Sequence, residues 1–217
     1  MEINTLYQVR FHSEEIKKKN KLWQTLCKHY FSKYINKNDC VLDLAAGYCE
    51  FINNINVNKK IAVDINPDTV NYAQPDVQVI NAMSSHIEEI PSNSVNVIFI
   101  SNFFEHISKE EILLTLKECR RILAPKGIIM ILQPNIKYIG GAYWDFFDHY
   151  TPLTDQSLSE ALELTGYKVK KMIPRFLPYT TKSKIPQFSW LVAIYLHIPL
   201  AWKIMGKQLF VIAEKEK

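Results

Sequence analysis

The sequence predicts an α/β fold: a doubly wound, mostly parallel seven-stranded sheet with helices on both faces. An N-terminal helix precedes it, and a helical insertion interrupts it before the last strand. Three observations predict this. Seven short apolar runs recur along 217 residues, and the first five are apolar on both faces, as strands covered on both sides must be. Helix-length segments with capping signals separate them. Such alternation closes into right-handed βαβ crossovers.

The elements follow in order. Behind Ser13 as N-cap, residues 13–36 place Ile16, Leu22, Trp23, Leu26, Tyr30, Phe31 and Tyr34 near helical spacing. Strands are read at 40–45 (CVLDLA), 60–65 (KIAVDI), 77–80 (VQVI), 95–101 (VNVIFIS) and 127–133 (GIIMILQ). Asn66-Pro67 pairs an N-cap with proline at the first helical position, and Ser108-x-x-Glu111 is a capping box opening a helix to about Leu123. Pro125-Lys126-Gly127 ends that helix. Thr154 starts another, which stops at Gly166, and the strands YKVKKMI and KQLFVIAEK follow. Between these two strands lies the insertion, residues 175–206, longer than an ordinary connection. The chain therefore reads as one domain: helix 13–36, core 37–170, insertion 175–206 and last strand 207–215.

With 47% apolar and 22% charged residues the chain can close a core, which excludes wholesale disorder. Cys27, Cys40, Cys49 and Cys119 show no C-x-x-C pair and no zinc-ligand spacing, so no metal is expected and the cysteines read as reduced. The amino terminus lacks the apolar stretch of about 7–15 residues that marks an export signal, so a cytoplasmic location is expected. The net charge of +4 is uneven: residues 167–217 hold ten basic and two acidic residues, the rest 16 and 20. An anionic partner near the C-terminal third is one reading and a solvated lysine face the other; nucleic acid is disfavoured. Within the insertion, the apolar stretch from Phe188 to Trp202 is broken by His197 and Pro199 and falls short of the roughly 20 residues of a membrane span. Lys182, Lys184, Lys203 and Lys207 flank it, with Trp190 and Trp202 inside. That composition suits peripheral contact of 182–207 with the inner, anionic face of a membrane, although a cover over the protein's own site or a dimer contact is the commoner use of such helices.

Ligands of an open α/β sheet bind beyond the carboxyl ends of its strands. Here the first such turn is Asp43-Leu44-Ala45-Ala46-Gly47-Tyr48-Cys49-Glu50, and Asp64 ends the second strand, where an acid can accept both ribose hydroxyls. Neither G-x-G-x-x-G nor G-x-x-x-x-G-K-[ST] occurs, so a dinucleotide or nucleoside triphosphate has little to hold its phosphates.

VLDLAAGY, AVDINPD, NAMSS, VIFISNFFEHI and RRILAPKGIIMILQPN, in this order, resemble the class I S-adenosylmethionine-dependent methyltransferases over roughly residues 37–170. YWDFFDHYTPLT, IPRFLPYTTKSKIPQ and GKQLFVIAEK are similar to a bacterial subset associated with polysaccharide and glycolipid biosynthesis. The resemblance implies S-adenosylmethionine as cofactor. It places Asp43 at the methionine amino group, Ala45 and Gly47 along the cofactor, where Gly47 lets the main chain approach closely, and Asp64 on the ribose. Ile65, Asn81, Ala82 and Met83 fall around the adenine, and the backbone of Ser101 and Asn102 at the methionine ammonium. The family pattern D-x-G-x-G-x-G reads here Asp43-x-Ala45-x-Gly47-x-Cys49, so two of its three glycines carry side chains; positive φ there would strain them.

For a hydroxyl acceptor, such as a sugar or glycolipid, a base must take the proton, and histidine titrates in the right range. His149 is expected in that role with Asp145 or Asp148 orienting it, and His106 is second. The aromatic run Tyr143, Trp144, Phe146, Phe147 and Tyr150 reads as a wall around the acceptor or as a packed lid, with Gly140-Gly141 as a hinge. Arg175, Lys182 and Lys184 are candidates for an acceptor anion. Two alternatives stand beside this reading: a nicotinamide-dependent reductase or epimerase using Tyr167 and Lys171, and a non-catalytic binding protein.

Overall fold

The computed structural model describes residues 13–179 and 188–216. Strands β1 (Cys40–Leu44), β2 (Lys59–Asp64), β3 (Val77–Asn81), β4 (Val95–Ser101), β5 (Leu123–Pro134), β6 (Tyr167–Ile173) and β7 (Gln208–Lys215) form one sheet in the order β3-β2-β1-β4-β5-β7-β6. The first five are mutually parallel, and β7 lies antiparallel between β5 and β6. Successive crossovers leave β1 in opposite directions, so the crevice for a ligand opens over the carboxyl ends of β1 and β4.

The helices are α1 (Ser13–His29), α2 (Glu50–Asn54), α3 (Lys109–Ile122), α4 (Ile136–Ile139), α5 (Asp155–Leu164), α6 (Ser189–Tyr195) and α7 (Pro199–Met205). Strand alternation sorts the core into two layers. Leu42, Leu44, Ile98 and Ile100 meet Ile112 and Leu116 of α3 and Leu158 and Leu162 of α5 on one face. Val41, Val97 and Phe99 meet Trp23, Leu26, Phe31 and Phe51 on the other, where Phe51 stacks on Phe99 at 3.8 Å. Both capping motifs form: Ser108 and Glu111 bond reciprocally, as do Thr154 and Ser157.

The elements differ from expectation in three places. The opening helix stops at His29, and Phe31–Tyr34 follow as a 3₁₀ turn, because Tyr30 and Phe31 turn inward onto Phe176 and Phe99 at 4.4 and 5.1 Å. Asn66-Pro67 opens only a 3₁₀ turn, Pro67–Asn71, since few residues separate β2 from β3; Asn66 still caps it through the Asp68 N–H. And β5 begins at Leu123, before the Pro-Lys-Gly break: Lys126 takes φ 65°, and a Cβ on Gly127 would stand 2.9 Å from the Ala124 carbonyl.

Within the insertion, α6 packs on α1. Trp202, expected at a membrane interface, turns inward onto Phe176 and Tyr30 at 5.2 and 5.8 Å, its Nε1–H donating to the Tyr195 carbonyl; Trp190 is exposed. Arg175, expected on an acceptor anion, donates to the carbonyls of Gly206 and Ile204 at 2.9 and 2.7 Å and so caps the end of α7. Lys182 and Lys184 lie outside the described residues. No helix among the described residues is long and apolar enough to cross a membrane.

Candidate active site

The loop from β1 to α2 alternates left-handed residues: Ala45 at φ 58°, Gly47 at 51° and Cys49 at 58°. These are the three glycine positions of the resembled motif, so Ala45 and Cys49 each carry a Cβ in a conformation that costs about 1–2 kcal/mol. The loop is held from outside. Asp64 Oδ2 accepts the Gly47 N–H at 2.7 Å and Oδ1 the Asn66 N–H at 2.8 Å, so one carboxylate joins the ends of β1 and β2. Cys49 is wholly buried, its N–H donating to the Ala46 carbonyl at 2.7 Å. Burial, reinforced by Asp43, pushes its thiol up to about 12, which makes it a packing group and no nucleophile.

Three carboxyls share this edge, Asp43 and Glu105 buried and Asp64 half-buried. Asp43, 4% exposed, accepts the Ile52 N–H at 3.3 Å; burial drives its pKa well above the carboxylate range, and Glu50 and Asp64 add to the rise. Burial also raises Asp64, against the N–H groups of Asn66, Gly47 and Ile65, and Glu105, against the His106 ring and the Gln133 amide. Among the described residues, lysine and arginine form no ion pair with any of the three. An edge so arranged favours a cation.

Around Asp64 lie the residues expected at the adenine. Asn81 Nδ2–H and Ala82 N–H both donate to the Asp64 carbonyl, at 3.0 and 3.2 Å. Ala82 packs against the core, whereas Ile65 and Met83 stand more than half exposed. Past β4, Asn102 adopts φ 48°, its N–H donating to the Leu132 carbonyl and its Nδ2–H to Ser101 Oγ.

The second group forms where the loop after β4 meets residues 143–151. Glu105 O accepts the N–H groups of Tyr150 and Thr151 at 2.7 and 3.0 Å, pinning the two loops together. The histidine rings stand 5.2 Å apart. The carboxylate of Asp148, expected beside His149, lies on His106: Oδ2 is 3.1 Å from its Nδ1. His149 Nδ1 is instead bonded to the Tyr143 carbonyl at 2.7 Å, because adjacent side chains leave this loop in different directions. Asp145 is exposed at the end of the 3₁₀ helix Gly140–Asp145. The aromatic run divides: Tyr143 is buried with its hydroxyl on the Thr151 carbonyl, Phe146 stacks on His149, and Trp144, Phe147 (90% exposed) and Tyr150 face outward. Glu105 was missed in the sequence; its one signal was adjacency to His106 beyond the fourth strand. Tyr167 and Lys171 do not form a reductase pair: the Tyr167 hydroxyl is buried on the Leu116 carbonyl, and Lys171 donates to Tyr34.

Residues 42–131 match the family model described as a methyltransferase domain. Three solved structures share the fold. An S-adenosylmethionine-dependent methyltransferase from Archaeoglobus fulgidus is 21% identical, with 90% of this chain and 94% of that one covered at a TM-score of 0.68. The methyltransferase seen in complex with the Trm112 activator of Haloferax volcanii is 16% identical, with 94% of each chain covered at 0.69. A Thermotoga maritima protein described as a possible histamine N-methyltransferase is 13% identical, with 98% and 99% covered at 0.69. No protein of curated function matches in sequence. The expected doubly wound sheet is thereby borne out, and the resemblance is borne out at the level of a methyltransferase domain over residues 42–131.

Proposed function

We propose that this protein transfers the methyl group of S-adenosylmethionine to a hydroxyl of a sugar or glycolipid. One observation carries the cofactor half: Asp64 holds the loop N–H of Gly47 with one oxygen and that of Asn66 with the other. Beyond the main-chain N–H groups it accepts, the carboxylate keeps acceptor capacity for a ribose hydroxyl. Asp43 and the main chain of Ala45, Gly47, Ser101 and Asn102 take the methionine part; Ile65, Ala82 and Met83 flank the adenine, and Asn81 Oδ1 accepts its amino group. A sulfonium and an ammonium relieve the crowding of acids that no lysine or arginine among the described residues offsets.

Methyl transfer is an in-line displacement, so alignment and exclusion of water supply most of the acceleration. The acceptor proton belongs to the His106 and His149 cluster, with Asp148 orienting His106 and Asp145 at its rim. Both Nδ1 atoms face groups that only accept, so each neutral ring carries its hydrogen there and keeps a lone pair on Nε2. The outward Trp144, Phe147 and Tyr150 suit stacking on a sugar ring, and the glycolipid reading draws on the resemblance of YWDFFDHYTPLT. Phe188, Trp190, Leu200 and Ile204 are exposed on the insertion, in keeping with peripheral contact at the inner face of an anionic membrane.

Calorimetry with S-adenosylmethionine, S-adenosylhomocysteine and NADH is the test. The first two are expected to bind and the third not. Binding of NADH alone would point to a reductase, and binding of none to a non-catalytic protein. Mass spectrometry of glycolipid extracts incubated with labelled methyl donor then identifies the acceptor.

A further inference from the structure

Glu105, His106 and His149 each bring one donor atom to a common space, all within 4.8 Å of one another. The remaining atoms of these side chains are tied in the manner of ligands. His149 Nδ1 lies 2.7 Å from the Tyr143 carbonyl, and His106 Nδ1 lies 3.1 Å from Asp148 Oδ2 and 3.2 Å from the Asp148 carbonyl. An imidazole whose Nδ1–H is held by a carbonyl or carboxylate has its ring fixed and its Nε2 made more basic, the arrangement found behind metal-bound histidines. Glu105 is 2% exposed; Gln133 Nε2–H holds its Oε2 at 2.8 Å, and its Oε1 stands 4.0 Å from His106 Nε2. That separation is too long for a hydrogen bond.

We propose that Glu105, His106 and His149 bind a divalent first-row transition ion through two imidazole nitrogens and one carboxylate oxygen. This donor set suits manganese, cobalt or zinc better than magnesium or calcium, which prefer oxygen alone. Bonds of about 2.0–2.2 Å place ligand atoms about 3–3.5 Å apart, so the trio must draw in by about 1–2 Å on binding. The loop bearing His149 can supply this, being entered through Gly140 at φ 62° and Gly141, with open space around both.

The role of the ion rests on the methyl-transfer reading; its binding does not. An acceptor oxygen on the ion releases its proton to solvent more readily. The oxygen lone pair then forms the new O–CH₃ bond while the C–S bond breaks, and its electron pair stays on sulfur as a neutral thioether. The histidines, which accept protons in the bare protein, become ligands when the ion is present.

The test is titration of the full chain with cobalt(II) chloride, followed by visible absorption and calorimetry. We expect saturation at one equivalent, with affinity at least tenfold weaker in His106→Ala, His149→Ala and Glu105→Gln, and in Asp148→Asn through loss of the partner that orients His106. In the unsubstituted protein, manganese(II) should broaden the ring proton signals of His106 and His149 before those of His29, His86 and His197. This readout does not depend on any variant folding. No saturable cobalt binding, affinity unchanged in folded variants, or broadening that begins at the exposed His86 and Glu88 pair would overturn the proposal. S-adenosylmethionine calorimetry on the metal-free protein separates the two readings: cofactor binding without metal binding sinks only this inference, and metal binding without cofactor binding sinks only methyl transfer.

Discussion

Asp64 and Asp43 do different work with the same functional group. Asp64 sits where the N–H groups of Gly47, Asn66 and Ile65 already orient it, so its remaining acceptor capacity is preorganised for a ribose hydroxyl. Asp64→Ala is expected to weaken S-adenosylmethionine binding at least tenfold by calorimetry, given the roughly 1.5–3 kcal/mol of a hydrogen bond to a charged group. Unchanged affinity would mean that the ribose is held elsewhere. Asp43 is a buried acid whose native pKa is raised, chiefly by burial. The native state therefore keeps its proton to a higher pH than the unfolded chain does. Between the two pKa values the native state binds more protons, and stability falls as pH rises through that window. Asp43→Asn removes this fall: the variant should melt higher than the parent at pH 7, with the difference vanishing in acid, while its cofactor affinity drops. Equal melting temperatures at both pH values would show that Asp43 is not ionised at a cost to stability.

At the scale of the element, the β1–α2 loop holds left-handed backbone at Ala45 and Cys49, two positions where the resembled pattern has glycine. Cys49 fills a buried space, so its strain is set against packing, whereas Ala45 is half-buried and contributes one methyl group. Ala45→Gly should therefore raise stability by about 0.5–1 kcal/mol, the left-handed penalty less the entropy that glycine adds to the unfolded chain. Chemical denaturation measures this, and a lower midpoint would mean that the Ala45 methyl packs more than its exposure suggests. The insertion has its own logic: Arg175 ties the end of α7 back to the start of the segment, and Trp202 anchors it to Tyr30 and Phe176. The outer side of α6 and α7 is left apolar.

That outer side matters at the scale of the whole molecule, because most of the chain's basic excess lies in the same third of the sequence. If the apolar side enters a headgroup layer, liposomes rich in anionic lipid should retain the protein at low salt and release it as salt rises. Equal recovery in the supernatant with and without lipid would discard membrane contact. The site itself is assembled from distant segments: β1 and β2 bring Asp43 and Asp64, and the loop after β4 meets residues 143–151 at the Glu105 carbonyl.

The sequence by itself determined the seven strands, the two capped helices and the acids at the ends of β1 and β2. Each is written in local periodicity, a cap of three-residue spacing, or a position relative to a strand end. Only the tertiary structure decided that Ala45 and Cys49 adopt positive φ, that Asp148 serves His106, that Arg175 closes a helix, and that Glu105 lies buried beside two histidines. These outcomes depend on where neighbouring side chains leave a folded loop and on which distant carbonyl lies within reach. Spacing along the chain does not encode either.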